Sequence, residues 1–135
     1  MCVLIVDDSP SQLMGMKRIV EKLGHEALTA EDGAAGVEMA KAQKPDLILM
    51  DVVMPNLNGF QATRSITREP TTRHIPIVLV TTKDQDTDRV WGMRQGAKAY
   101  ITKPFSESEL ADMIQQMLGG GGTGGEQAAE PPAEA

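Results

Sequence analysis

The sequence predicts an α/β fold: a doubly wound parallel sheet of five strands with helices on both faces. Two observations carry that prediction. Short apolar runs recur along the chain at Val3–Val6, Leu47–Met50 and Ile77–Val80, with a shorter one at Ala99–Ile101 and a weaker strand candidate at Glu26–Ala30. The strong runs are continuous rather than alternating, as expected of strands covered on both faces. Between them lie segments with apolar residues at helical spacing, so that about 118 residues divide into five strand–helix units.

Each helix has its own start and stop signals. Ser9 is placed to cap the first, with Pro10 at its first position; Leu13, Met16, Val20 and Leu23 follow on one face and Gly24 ends it. The second spans Asp32–Ala42. Asn58 caps the third, which places Phe60, Thr63 and Ile66 together before Pro70. The fourth covers Gln85–Gln95. Ser106 and Glu109 form a capping box ahead of Leu110, Met113, Ile114 and Met117 in the fifth. Composition then changes. Gly119–Gly125 reads GGGGTGG, and Glu126–Ala135 holds only Gln, Ala, Glu and Pro. Such a segment has almost no apolar surface to offset its ordering entropy. The expected organisation is a folded domain over 1–118 and a disordered tail over 119–135.

The bulk properties narrow the function. Of 135 residues, 41% are hydrophobic and 24% charged, which suits one globular domain. The net charge of −6 argues against non-specific nucleic-acid binding, which depends on Lys and Arg neutralising phosphates. Cys2 alone cannot form an internal disulfide and is expected to be a small buried hydrophobe. Met1–Val6 is too short for a signal-peptide core, and no segment reaches membrane-spanning length. The expectation is a cytoplasmic protein with neither nucleic acid nor membrane as partner.

The polar residues that end the strands point to a site. The first run ends in Asp7-Asp8, the third strand in Asp51, the fourth in Thr81-Thr82 and the fifth in Thr102-Lys103-Pro104. In open parallel sheets, ligands bind in the crevice outside the carboxyl ends of the strands. Three carboxylates, a hydroxyl and an ammonium should therefore converge. Carboxylates at 4 Å repel by roughly 4 kcal/mol per pair at an effective dielectric of 20, so either some protonate or a cation sits among them. Hard oxygen ligands favour Mg²⁺, and without a nearby His or Cys a zinc site is not expected. An Asp beside Mg²⁺ can serve as a nucleophile and form an aspartyl-phosphate. Lys103 can neutralise a phosphoryl oxygen, and the Thr81 hydroxyl can donate to another. His25 and His74 are expected at the opposite edge, exposed and without a role.

These motifs, LIVDDS at 4–9, LMDVVMPNLNG at 49–59, VTT at 80–82 and YITKPF at 100–105, resemble the receiver domains of two-component response regulators over residues 2–118. The resemblance implies a flavodoxin-like fold with strand order 2-1-3-4-5. It implies that Asp51 is the phospho-acceptor, Asp8 a direct Mg²⁺ ligand, Asp7 a ligand partly through water, and the Val53 carbonyl the third protein ligand. Thr81 is then the switch hydroxyl, Lys103 the phosphoryl contact and Tyr100 the switch aromatic. The Lys103–Pro104 bond is expected to be cis. Thr82 departs from the Ala or Ser common in the family; with Val53 and Lys83 it predicts slow loss of phosphate. The strings at 54–64 and 81–105 are similar to stand-alone receivers that control type IV pili in twitching motility. There Trp91, with Tyr100 and Phe105, would mark a switch and partner face.

The resulting expectation is a stand-alone receiver. It takes a phosphoryl group from a histidine kinase or histidine phosphotransfer domain and switches binding of a motility protein, as a monomer or a weak phosphorylation-dependent dimer. Beyond intrinsic autodephosphorylation it is not expected to be an enzyme. A phosphate sink for a shared kinase and a non-phosphorylated scaffold are the alternatives. A haloacid-dehalogenase-type phosphatase is disfavoured, because the general acid it needs two residues after the nucleophile is Val53 here.

Overall fold

The computed structural model describes residues 1–54 and 57–119. The segment 120–135, expected to be a tail, and Pro55-Asn56 of the third motif lie outside the described residues. Ten elements alternate: β1 (Cys2–Val6), α1 (Pro10–Lys22), β2 (Glu26–Ala30), α2 (Gly33–Gln43), β3 (Leu47–Met50), α3 (Gly59–Arg68), β4 (Ile77–Thr81), α4 (Asp86–Arg94), β5 (Ala99–Thr102) and α5 (Glu107–Met117). The strands form one parallel sheet in the order β2-β1-β3-β4-β5.

Both faces of the sheet are covered, which explains the continuous apolar runs. Alternate residues of each strand serve opposite layers. Val3 and Ile5 pack with Leu47, Leu49, Val78 and Val80 against Leu13, Met16 and Val20 of α1 and Leu110 and Ile114 of α5. Leu4 and Val6 pack with Ile48, Met50, Ile77 and Leu79 against Val37 and Ala40 of α2 and Ala62 and Ile66 of α3.

The helix ends follow local chemistry, with two differences. Asn58 and Gln61 form a reciprocal capping box at α3, and Ser106 and Glu109 do so at α5. Asp32 lies outside α2 as its cap, its carboxylate accepting from Ala35 N–H at 2.7 Å. Ser9 occupies the cap position of α1 without a capping bond; its hydroxyl lies 3.2 Å from that of Ser11. Its N–H donates to Asp7 Oδ1 at 2.9 Å, so the backbone here serves the carboxylate.

Two smaller expectations are corrected. His74 is exposed, but His25 is half-buried, with Nδ1 3.3 Å from the Met1 amine, because β1 and β2 begin side by side. Cys2 is half-buried rather than fully so; burial, then Glu26 and Asp46, push its thiol pKa up. No helix among the described residues is long and apolar enough to cross a membrane.

One core position is poorly satisfied. Thr63 is fully buried on α3, and its hydroxyl has no hydrogen-bond partner among the described residues. An unpaired buried hydroxyl costs about 1–3 kcal/mol. Thr63→Val keeps the shape and removes that group. It is expected to raise the thermal midpoint by several degrees, at roughly 4 °C per kcal/mol, whereas Thr63→Ala, which also loses the methyl, lowers it. Calorimetry that shows Thr63→Val less stable than the parent contradicts this assignment.

Candidate functional site

Strand register builds the site. Val6 lies opposite both Ala30 and Met50, and Thr81 lies opposite Thr102. The next residue of each strand therefore emerges at the same edge. Asp51 N–H donates to the Val6 carbonyl at 2.9 Å, Asp7 N–H to Ala30 at 3.1 Å, and Lys103 N–H to Thr81 at 2.8 Å. Backbone bonds that continue the sheet thus fix the residues carrying the chemistry. Gly59, the first residue of α3, closes the arrangement behind Asp51. A Cβ at this position would collide with the Asp51 carbonyl oxygen and lie 2.7 Å from Val52 Cα. Only glycine lets α3 start so close to the end of β3.

Asp7, Asp8 and Asp51 each offer an oxygen within 4.8 Å of the others. Asp7 and Asp51 are buried, and Asp8 faces solvent. Lys103 Nζ stands 2.7 Å from Asp7 Oδ2 and 3.9 Å from Asp51 Oδ2, so one ammonium balances part of three carboxylates. Asp51 Oδ1 accepts from Val52 N–H at 2.8 Å. Its pKa is raised from the ordinary carboxylate value. Burial is the main cause and the Asp7 charge adds to it; Lys103, the Val52 N–H and the Thr81 hydroxyl oppose it. The donors are all hard oxygens and their negative charge exceeds that of Lys103. That set suits a small divalent cation of the Mg²⁺ type.

Thr81 is fully buried at the end of β4. Its Oγ accepts from Lys83 N–H at 3.4 Å, and the Lys83 carbonyl accepts from Tyr100 Oη at 2.7 Å. Tyr100 is half-buried against the Leu79 layer, and its phenol is pushed up to about 12, chiefly by burial. Thr81, Lys83 and Tyr100 are thus linked in sequence away from the carboxylates. Lys103–Pro104 is cis. Trp91 is exposed on α4. Phe105 does not join Tyr100 and Trp91. It packs in the α1–α5 layer and lines a groove with Ser11, Gly15, Arg18 and Lys22. The Val53 side chain is exposed two residues beyond Asp51.

A fold of this topology with acidic residues, a hydroxyl and a lysine at the carboxyl edge defines a phospho-accepting switch domain. The chain belongs to the response regulator receiver domain family, whose model matches residues 3–115. It is 53% identical over 118 residues to protein PilH of Pseudomonas aeruginosa, covering 87% of this chain and 98% of PilH. Among solved structures it is similar to the Vibrio cholerae chemotaxis protein CheY4 (TM-score 0.81, 29% identity, 86% of this chain and 97% of that one). It is also similar to the receiver domain of a sensor histidine kinase of Pseudomonas aeruginosa, solved with a magnesium ion coordinated in its active-site cleft. That pair gives a TM-score of 0.81 and 32% identity over 87% of this chain and 97% of the other.

The raised Asp51 pKa has a consequence for stability. A carboxyl with a raised folded pKa binds its proton more tightly when folded than when unfolded. Below the ordinary carboxylate range Asp51 is neutral in both states and costs nothing. As pH rises through that range and past the folded value, its ionisation costs stability. In chelator-containing buffer, Asp51→Asn is therefore expected to stabilise the protein at neutral pH, and the gain should shrink towards acid. Denaturant midpoints at several pH values check it. A gain that grows on acidification, or no gain at neutral pH, contradicts it.

Proposed function

We propose that this chain is a receiver that accepts a phosphoryl group on Asp51 and signals by changing its affinity for a partner protein. The observation that carries the reading is the meeting of Asp7, Asp8 and Asp51 within 4.8 Å at one sheet edge, with Lys103 beside them. The donor is a phosphohistidine on a kinase or a histidine phosphotransfer domain. An Asp51 carboxylate oxygen bonds to phosphorus as the phosphorus–nitrogen bond breaks, and the electron pair returns to the imidazole. Asp51 is buried, with Oδ1 held by Val52 N–H, so it presents one oriented oxygen. Asp8 and Asp51 directly, Asp7 partly through water and the Val53 carbonyl would hold Mg²⁺, which supplies positive charge against the transferring oxygens. Lys103 leaves Asp7 for a phosphoryl oxygen, and the Thr81 hydroxyl donates to another.

Output follows from differential binding in the two states. Resemblance at 54–64 and 81–105 to stand-alone twitching receivers, with similarity to PilH along nearly its whole length, supports a type IV pilus or chemotaxis-like motility partner in the cytoplasm. Trp91 is the aromatic anchor on that partner face.

Incubation with acetyl phosphate and Mg²⁺ is expected to add the mass of one phosphoryl group to the parent protein and none to Asp51→Asn. Equal gain in both, or none in the parent, contradicts the reading. Thr82 is exposed directly beyond Thr81 and carries a β-branched side chain where small residues are common. It is expected to slow hydrolysis of the acyl phosphate, so Thr82→Ala should shorten its lifetime several-fold. A parent half-life of seconds counts against this role.

A further inference from the structure

Charge is distributed unevenly along this acidic chain. Residues 64–75 and 93–98 carry Arg64, Arg68, Arg73, Arg94 and Lys98 and a single acid, Glu69, although the whole chain has a net charge of −6. All five cations are exposed, and among the described residues none of them makes an ion pair. The fold gathers them. The strands are parallel and each helix runs back beside them, so α3 and α4 end at the edge where β4 and β5 begin, away from the carboxylates. The Thr67 hydroxyl donates to the Gln95 carbonyl at 2.8 Å, which ties the end of α3 to the end of α4. The buried Thr72 hydroxyl donates to the Ile66 carbonyl at 2.8 Å and holds the turn that carries Arg73. Lys98 N–H donates to the Ile77 carbonyl at 2.8 Å, which sets Lys98 beside the start of β4. Arg68 and Arg94 complement the negative ends of their helices. That role does not extend to Arg64, Arg73 or Lys98.

The chain itself supplies a complement to this face. Helix α5 runs back to the same edge, so the chain leaves the domain there, at Gly119. Residues 126–135 carry Glu126, Glu130 and Glu134, and residues 119–135 contain no Lys or Arg. The stretch 119–125 spans at most about 24 Å, against a radius of gyration of roughly 13 Å for a domain of this length. Glu126 is thus within reach of the α3 and α4 ends. Successive carboxylates four residues apart stand at most about 14 Å from each other, so one extended segment can meet several of the cations. We propose that the acidic segment 126–135 seats on the basic face formed by Arg64, Arg68, Arg73, Arg94 and Lys98 of the same chain and covers that face against other polyanions. Arg offers paired N–H donors to a carboxylate. A single exposed ion pair contributes little; the seat depends on several forming together and on the tether, which keeps the segment at high effective concentration. It is independent of the phospho-acceptor reading, whose residues stand at the other edge of the sheet.

Amide resonances of the full chain report the contact. The triple variant Glu126→Gln, Glu130→Gln, Glu134→Gln keeps the length of the segment and removes its charge. It is expected to move the Arg73, Arg94 and Lys98 amide resonances while those of Leu4 and Ile48 in the sheet stay in place. High salt should move the parent's resonances the same way, a series that needs no variant. Arg73→Glu with Lys98→Glu should release the segment, and adding Glu126→Lys with Glu130→Lys should restore it. A heparin fragment, as a probe polyanion, is expected to bind the triple variant several-fold more tightly than the parent at equal salt. Parent resonances at the basic face should not change on dilution. Resonances of Arg73, Arg94 and Lys98 that stay at the parent position in the triple variant overturn the proposal, as does equal heparin affinity in the two proteins. Positions that follow protein concentration assign the segment to a second copy and overturn the intramolecular seat.

Discussion

The structure depends on one electrostatic imbalance: three carboxylates at one sheet edge against the ammonium of Lys103. Burying charge without full compensation is costly, and the fold carries that cost at Asp7 and Asp51 while leaving Asp8 to solvent. Lys103 sits against Asp7, the more buried of its two partners, and only at 3.9 Å from Asp51. Asp51 is thus the less well neutralised of the two buried carboxylates, and burial, with the Asp7 charge adding to it and Lys103 opposing, raises its pKa. An edge in this condition attracts any ligand that brings positive charge.

The rest of the molecule holds this imbalance in place. Parallel register brings Asp7 and Asp51 side by side, and the close start of α3 at Gly59 fixes the backbone behind Asp51. Gly33 at the start of α2 plays a similar steric part, since a Cβ there would meet the Leu57 carbonyl on the β3–α3 connection. From the opposite side, the hydrogen bonds through Lys83 lead from Thr81 to Tyr100, whose ring lies against α4 at Gly92. Charge is concentrated at one end of this path and exposed apolar surface at the other.

Much of this was legible in the sequence. Continuous apolar runs mark strands covered on both faces, and polar residues at their ends mark the edge where a ligand binds. The cap residues Asn58 and Ser106 act locally, so spacing alone finds them. What sequence did not show depends on residues far apart in the chain. Ser9 is a local exception: it sits at the cap position of α1, but its hydroxyl lies beside that of Ser11 and makes no capping bond. Phe105 follows the α1–α5 layer although it is only five residues from Tyr100, since Tyr100 lies on β5 and Phe105 lies beyond it, on the connection into α5. Gly33, Gly59 and Gly92 read as ordinary helix glycines until the facing backbone or ring is seen. A glycine within the first turn of a helix is the one signal that could have raised the question at Gly33 and Gly59.

The acidic edge formed by Asp7, Asp8 and Asp51 suits a divalent cation. Thermal unfolding of the parent and of Asp8→Asn across a Mg²⁺ series tests it most directly. Binding to the folded state alone stabilises by about 2.7 kcal/mol at a hundredfold excess over Kd. The predicted result is a parent midpoint that climbs with Mg²⁺ and an Asp8→Asn midpoint that stays nearly flat. A flat parent, or an equal climb in both proteins, would contradict the claim.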